Sequence, residues 1–115
     1  MTTTTQTARA AAYLVAGEVR NARDASRLIS TGEPFTHLPT DAWRQTRLLL
    51  SEVLEFSSWT QIAEVYKAIH GYNWRVSAGI LGDDPDLKDR VCGAVDASAL
   101  AADEVLSTLL REYES

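Results

Sequence analysis

The sequence predicts an all-α protein, a small bundle of about five helices with a long C-terminal helix. Apolar residues recur at intervals of three and four instead of alternating, which is the period of a helix and not of a strand. The 115 residues are 45% hydrophobic and 23% charged, which suits one ordinary domain with one core. We expect a flexible N-terminal tail at residues 1–6 and a single helical domain at residues 7–115.

The first helix is predicted over residues 7–30, after a tip that is mostly threonine and has no apolar residue to hold it down. Gly32 can take the left-handed conformation of a helix end, and Pro34 cannot continue a helix, so the helix stops there. Opposite its apolar stripe, arginines fall within an arc of about 60° when each residue advances by about 100°. We expect them to form a water-facing basic ridge that offers a contact surface to a partner. The ridge consists of Arg20, Arg23 and Arg27, with Arg9 nearer the N-terminus.

The second and third helices are predicted from their caps. Thr40 can cap a second helix that runs to about Ser57. Ser58 then begins a third helix, because Ser58 and Gln61 have the spacing at which side chains and backbone cap one another. Gly71 is the expected stop of this third helix.

A short fourth helix is predicted between Asn73, which can cap its start, and Gly82, which ends it. Two helices joined by a glycine-containing turn over residues 58–81 resemble a helix-turn-helix unit, so a DNA-binding regulator is an alternative function. The connection lies too far along the chain for the usual short turn, and the second helix offers a single basic residue. The side chains that would contact DNA are Trp74, Arg75 and Ser77.

The fifth helix has the clearest start. Asp84 can cap it, Pro85 suits the first helical position, and Asp86 complements the positive end of the helix. Downstream, small and apolar residues recur at spacings of four and three, the seam of a helix that packs lengthwise against another. This predicted seam consists of Val91, Val95, Ser98, Ala102, Val105 and Leu109.

A homodimer built on this last helix is expected from its apolar width. Ala94, Ala99, Leu106, Leu110 and Tyr113 flank the seam and make it wider than one neighbouring helix covers. The helix would be about 40 Å long, which exceeds the width of a small domain. The first and second helices of the same chain are the alternative cover. The predicted contact residues are Leu106, Leu110 and Tyr113.

Charge is distributed unevenly along the chain, whose formal net charge is −5. Residues 1–47 contain six basic and four acidic residues, which gives +2, whereas residues 48–115 contain five basic and twelve acidic residues, which gives −7. The acidic part disfavours non-specific contact with nucleic acid and with anionic membranes.

Carboxylates are dense in two places, which raises a weaker alternative, a magnesium-dependent helical nucleotide hydrolase. Glu52 and Glu55 share one helical face, while a second group surrounds the start of the last helix, where capping explains it more simply. His37 and His70 have no second histidine or cysteine nearby, so no zinc site is predicted. We assign no catalytic, cofactor-binding or metal-binding residue. The second acidic group is Asp83, Asp84, Asp86 and Asp89.

Cys92 is the only cysteine, so no intrachain disulfide is possible, and its place near the seam predicts a buried thiol. The alanine-rich run at residues 10–16 lacks a basic leader, and no apolar run is long enough for a bilayer, so the cytoplasm is the expected compartment. These features favour a small soluble interaction or regulatory protein without catalytic activity or a cofactor. Its expected partners are another protein, of unknown identity, and a second copy of itself.

Overall fold

The computed structural model describes residues 2–114, with side chains from Gln6 to Tyr113. Within these residues the chain forms four α-helices and no strand, which confirms the all-α class and the long C-terminal helix but corrects the helix number from five to four. No helix in this part of the chain is long and apolar enough to cross a bilayer. The helices are α1 (Thr2–Ser30), α2 (Asp41–Val53), α3 (Phe56–Ala78) and α4 (Pro85–Glu114).

The bundle is organised around α4, which packs most extensively against α1 and next against α3. Arg20 on α1 pairs with Asp103 on α4. Three residues further along α1, Arg23 pairs with Asp96, so the two helices run antiparallel. The bundle measures 52 × 21 × 21 Å, and α1 and α4, each about 45 Å long, extend over most of its length. The long helix therefore does not overhang the domain, because the whole domain is elongated along it.

The face of α4 that enters the core is rotated from the predicted one. Of the predicted seam, only Val95 and Ala102 are buried, and the other four residues are half-buried along one edge. Ala99, Leu106 and Leu110, which were predicted to flank the seam, lie in the buried face instead. This is because α4 packs against α1 and α3 at once, and the arc between these neighbours faces inward. The buried residues of α4 are Cys92, Val95, Ala99, Ala102, Leu106 and Leu110.

The predicted contact surface at the end of α4 is wrong for both of its leucines. Leu106 is 0% exposed and Leu110 is 7% exposed, while Tyr113 is half-buried. Packing within a single chain accounts for these two leucines. They therefore give no reason for a homodimer.

Two helix ends agree with the sequence patterns. Asp84 Oδ1 accepts a hydrogen bond from the backbone N–H of Leu87 at 3.0 Å, and α4 starts at Pro85. α1 ends at Ser30 before Gly32, whose φ of 115° is open to glycine and strained for other residues. At its other end α1 begins at Thr2, five residues earlier than predicted, while the flexibility of residues 1–6 stays a prediction.

α3 is one continuous helix, so the predicted break at Gly71 and the predicted cap at Asn73 are wrong. A glycine inside a helix costs only about 1 kcal/mol, and the helix has buried side chains on both sides of it. α3 ends at Gly79 instead, which adopts φ 70°. No turn divides residues 58–78, so the helix-turn-helix arrangement is not present there. The buried residues of α3 are Ile62, Val65, Tyr66, Ile69 and Tyr72.

The junction between α2 and α3 also differs from the prediction. α2 ends at Val53, and α3 starts at Phe56 with Glu55 as its N-cap residue. Ser58 and Gln61 therefore lie inside the first turns of α3 and do not cap it. A connection of only two residues makes α2 and α3 a tight helical hairpin.

The loop between α1 and α2 is fastened to the C-terminal half of α3. The Asn73 side chain accepts a hydrogen bond from the Leu38 N–H at 2.8 Å and donates one to the Leu38 carbonyl at 3.0 Å. The Tyr72 hydroxyl donates to the Thr36 carbonyl at 2.8 Å. Leu38 is buried, so the loop covers the part of the core that the short α2 does not reach.

Candidate interaction groove

Two depressions lie along α4, and we call the face that includes both of them the α3/α4 groove. One is walled by α4 and the α2–α3 junction at Val53, Leu54 and Glu55, and the other by α4 and α3. The first, of about 510 Å³, lies near the C-terminus of α4, and the second, of about 420 Å³, lies near its N-terminus. We call the first the acidic end and the second the basic end, after the charged side chains at each.

The acidic end combines an apolar floor with three carboxylates. Val105, Leu109 and Tyr113 of α4 form part of the floor. All three carboxylates are exposed, and none forms an ion pair within residues 6–113. Negative charge is therefore concentrated beside an apolar surface. The carboxylates are those of Glu55, Glu104 and Glu112.

The basic end has a similar floor and the opposite charge. Tyr72 of α3 and Leu87 and Val91 of α4 line it. Lys67 and Arg90 are exposed and form no ion pair within the described side chains. Three cations and one carboxylate, with a formal sum of +2, surround this end. They are Lys67, Arg75, Arg90 and Glu64.

Gly71 shapes the basic end by having no side chain. The Arg75 guanidinium folds back along α3, and its Nη1 donates to the Gly71 carbonyl at 3.0 Å. A Cβ at Gly71 would lie only 3.2 Å from this nitrogen. The glycine that the sequence presents as a helix stop therefore gives a guanidinium room against the helix surface.

In its middle part, α4 carries small exposed side chains. Ala97 and Ala101 are exposed there, and the exposed Ala94 lies at the basic end. The Ser98 hydroxyl, at the basic end, donates its hydrogen to the Ala94 carbonyl at 2.6 Å. Ala97 and Ala101 offer a neighbour small apolar side chains.

The predicted arginine ridge lies on α1. Two of its arginines form ion pairs with carboxylates of α4, on the side of α4 that faces α1. Arg20 Nε is 2.8 Å from an oxygen of Asp103, and Arg23 Nε is 3.2 Å from one of Asp96. Arg23 is half-buried, so the prediction that the ridge faces water is wrong for it. Only Arg27 of the three stays exposed without an ion pair among the described residues. The basic first part of the chain thus pairs with the acidic last part along the α1/α4 contact.

A second polar cluster, around Glu18 of α1, fixes the position of α2. The Glu18 carboxylate accepts hydrogen bonds from the N–H groups of Ala42 at 3.0 Å and Trp43 at 3.2 Å. It also accepts one from the Tyr66 hydroxyl at 2.8 Å. The predicted cap residue, Thr40, makes no side-chain cap hydrogen bond, so a carboxylate from another helix caps α2.

Burial, with the neighbouring Glu18 charge, raises the pKa of the Tyr66 hydroxyl well above its usual value. The Trp43 ring stacks on the Tyr66 ring with centroids 4.8 Å apart and planes 7° apart. These contacts join α1, α2 and α3, and they leave the cluster no free donor aimed at a ligand. We therefore assign the cluster a role in the fold.

The residues proposed for DNA contact are not arranged as one reading surface. Trp74 is 65% exposed, whereas Arg75 bonds to its own helix. The Ser77 hydroxyl lies 2.7 Å from Nε2 of His37 in the α1–α2 loop. With α3 continuous, the structure contains no second helix here to carry them into a groove of DNA.

The remaining candidate groups have structural positions. Asp84 caps α4, and among the described side chains no three histidines, cysteines or carboxylates are placed to hold a metal ion. Cys92 is buried, and this burial raises the pKa of its thiol.

Comparison of the chain with protein-family models found no match, and comparisons with curated proteins and with solved structures found none either.

Proposed function

We propose that this chain is a non-catalytic, cytoplasmic protein-protein interaction or regulatory module, and that the α3/α4 groove is the surface on which it docks a helix of its partner. One observation supports this most directly. An apolar groove carries unpaired charges that are separated by sign along its length. These charges take no part in the ion pairs among the described residues, which join α1 to α4 or lie within α2.

The chemistry of the groove suits a helical partner. Burial of apolar floor residues supplies affinity, while charges at the rim set orientation and register. From Arg90 to Glu112 the groove spans 22 residues of α4, about 33 Å, which is the length of about six helical turns. A helix with apolar side chains on one face and opposite charges at its two ends would fit it.

Site-specific photo-crosslinking in the native host tests this proposal. A photoreactive amino acid replaces Ala101, which is exposed on α4 between the residues that line the two ends, and in a matched variant it replaces Leu14, which is 54% exposed on α1. We expect a discrete crosslinked polypeptide, whether another protein or another copy of this chain, from Ala101 and not from Leu14. Equal crosslinking from both positions, or none from either, would refute a docking role for the groove.

A further inference from the structure

We propose that the partner helices belong to a second copy of this chain, and that the two copies meet groove to groove around a two-fold axis that crosses α3 and α4 at right angles. This inference rests on the proposed docking function of the groove. It places α3 against α3 and α4 against α4 of the second copy, antiparallel in both cases.

The sign of the charges selects this arrangement. The acidic end carries a formal charge of −3 and the basic end a formal charge of +2. Antiparallel copies place each acidic end on the basic end of the other, so both attractions form at once, as an isologous interface requires. Parallel copies would place like charges together at both ends.

The positions of the lining residues agree on one centre. Ser58 of α3 and Glu104 of α4 line the acidic end. Glu64 and Ser98 line the basic end. On α3 the residue midway between Ser58 and Glu64 is Gln61, and on α4 the residue midway between Ser98 and Glu104 is Ala101. Gln61 and Ala101 are both exposed, and we place the axis at these two residues.

The same centre brings opposite charges together. Arg90 and Glu112 lie eleven residues on either side of Ala101, about 16 Å each way. A two-fold axis over Ala101 therefore places Arg90 of one copy opposite Glu112 of the other, twice. On α3, Lys67 and Glu55 lie six residues on either side of the axis and pair in the same way.

The shape of the face permits this contact. The exposed alanines near the axis let two copies of α4 approach closely, with little side-chain entropy lost. A face about 33 Å long and two helices, or about 20 Å, wide covers roughly 660 Å² before its corrugation is counted. That is near the ~800 Å² per partner of a standard protein-protein interface.

Sedimentation equilibrium of the full chain tests the inference, from about 1 to about 200 μM at low and at high salt. We expect a mass of two chains at the higher concentrations, with weaker association at high salt because the paired charges are exposed. Arg90→Glu and Glu112→Arg should each weaken the homodimer at least tenfold, since each creates two like-charge contacts. Both side chains are exposed and unpaired among the described residues, so circular dichroism should show both variants folded.

Mixing the two variants gives the sharpest result. In the mixed dimer both contacts join opposite charges again, so Arg90→Glu and Glu112→Arg should associate with each other at least as tightly as the original chain does. The double variant R90E/E112R should also recover self-association. Arg47→Glu, at an exposed arginine of α2, is the matched control and should leave the dimer unchanged.

The outcomes separate the two proposals. A mass of one chain at every concentration overturns the self-association, and the docking function survives if Ala101 still crosslinks to a different protein. A dimer that is indifferent to both charge reversals, and to their mixture, uses another face and overturns the proposed geometry.

Discussion

Removal of the Glu18 carboxylate should destabilise the fold by about 3 kcal/mol. Three hydrogen bonds depend on it, from Ala42, Trp43 and the Tyr66 hydroxyl. A hydrogen bond to a charged group contributes about 1.5–3 kcal/mol. We take the low end for each bond and discount the result further because Glu18 is half-buried and water can replace part of what is lost. For a chain of this size, Glu18→Ala should lower the Tm by about 12 °C.

Urea unfolding followed by tryptophan fluorescence measures this effect, since Trp43 stacks on Tyr66 beside the carboxylate. Asp24→Ala is the matched control, because Asp24 is an exposed carboxylate on the same helix with no partner among the described residues, and it should shift stability by less than about 0.5 kcal/mol. Equal effects of the two variants would refute the capping role of Glu18.

The energetic coupling between Glu18 and Tyr66 gives an independent check of this contact. Tyr66→Phe should cost about 1 kcal/mol in the original chain, because it removes the hydroxyl that donates to Glu18. In the Glu18→Ala background the same change should cost much less, since the acceptor is already gone. Additive effects would mean that the 2.8 Å contact contributes nothing to stability.

Three further measurements test the packing and the electrostatics. Leu106→Ala should destabilise the chain by about 3 kcal/mol, whereas Leu109→Ala should cost about 1 kcal/mol, because only Leu106 is fully buried. If urea titrations gave the reverse order, the buried face of α4 would be the seam predicted from the sequence. Gly71→Ala should stabilise the chain by about 0.5 kcal/mol, because alanine favours a helix interior and the nearby Arg75 guanidinium is a flexible end that can move away. A loss of stability above about 1 kcal/mol would contradict a continuous α3. Since the pKa of Tyr66 is raised in the folded chain, the unfolded chain releases this proton first as the pH rises. Stability should therefore be complete below about pH 10 and fall above it by up to about 1.4 kcal/mol per pH unit for this group. Tyr66→Phe should remove that part of the slope, and an unchanged slope would contradict the assignment.

The sequence by itself determined the features that depend on a few adjacent residues. The start of α4 was readable because Asp84 and Pro85 act on the backbone within one turn. The end of α1 was readable because Gly32 takes a conformation that few other residues adopt. The all-α class followed from the apolar period, which each helix must have in order to bury a face.

Local signals failed where a tertiary contact overrode them. Gly71 and Asn73 have the pattern of a stop and a cap, yet the helix continues because packing on both sides outweighs the small cost of a helical glycine. Asn73 instead bonds to Leu38, 35 residues away. Thr40 likewise precedes α2 as predicted, but the cap itself comes from Glu18, which no pattern near Thr40 contains.

Only the tertiary structure decided which face of α4 is inside and which charges are free. Helical spacing shows that α4 has an apolar arc, but the arc that is buried depends on where α1 and α3 lie. The uneven distribution of charge is visible in the sequence. The sequence does not show, however, that Arg20 pairs with Asp103, 83 residues away. Lys67 and Arg90 instead lie at a depression lined by α3 and α4 alone, where they form no ion pair among the described side chains. A one-dimensional pattern records the residues on a helix, whereas burial and pairing depend on its neighbours, and those are fixed only when the chain is packed.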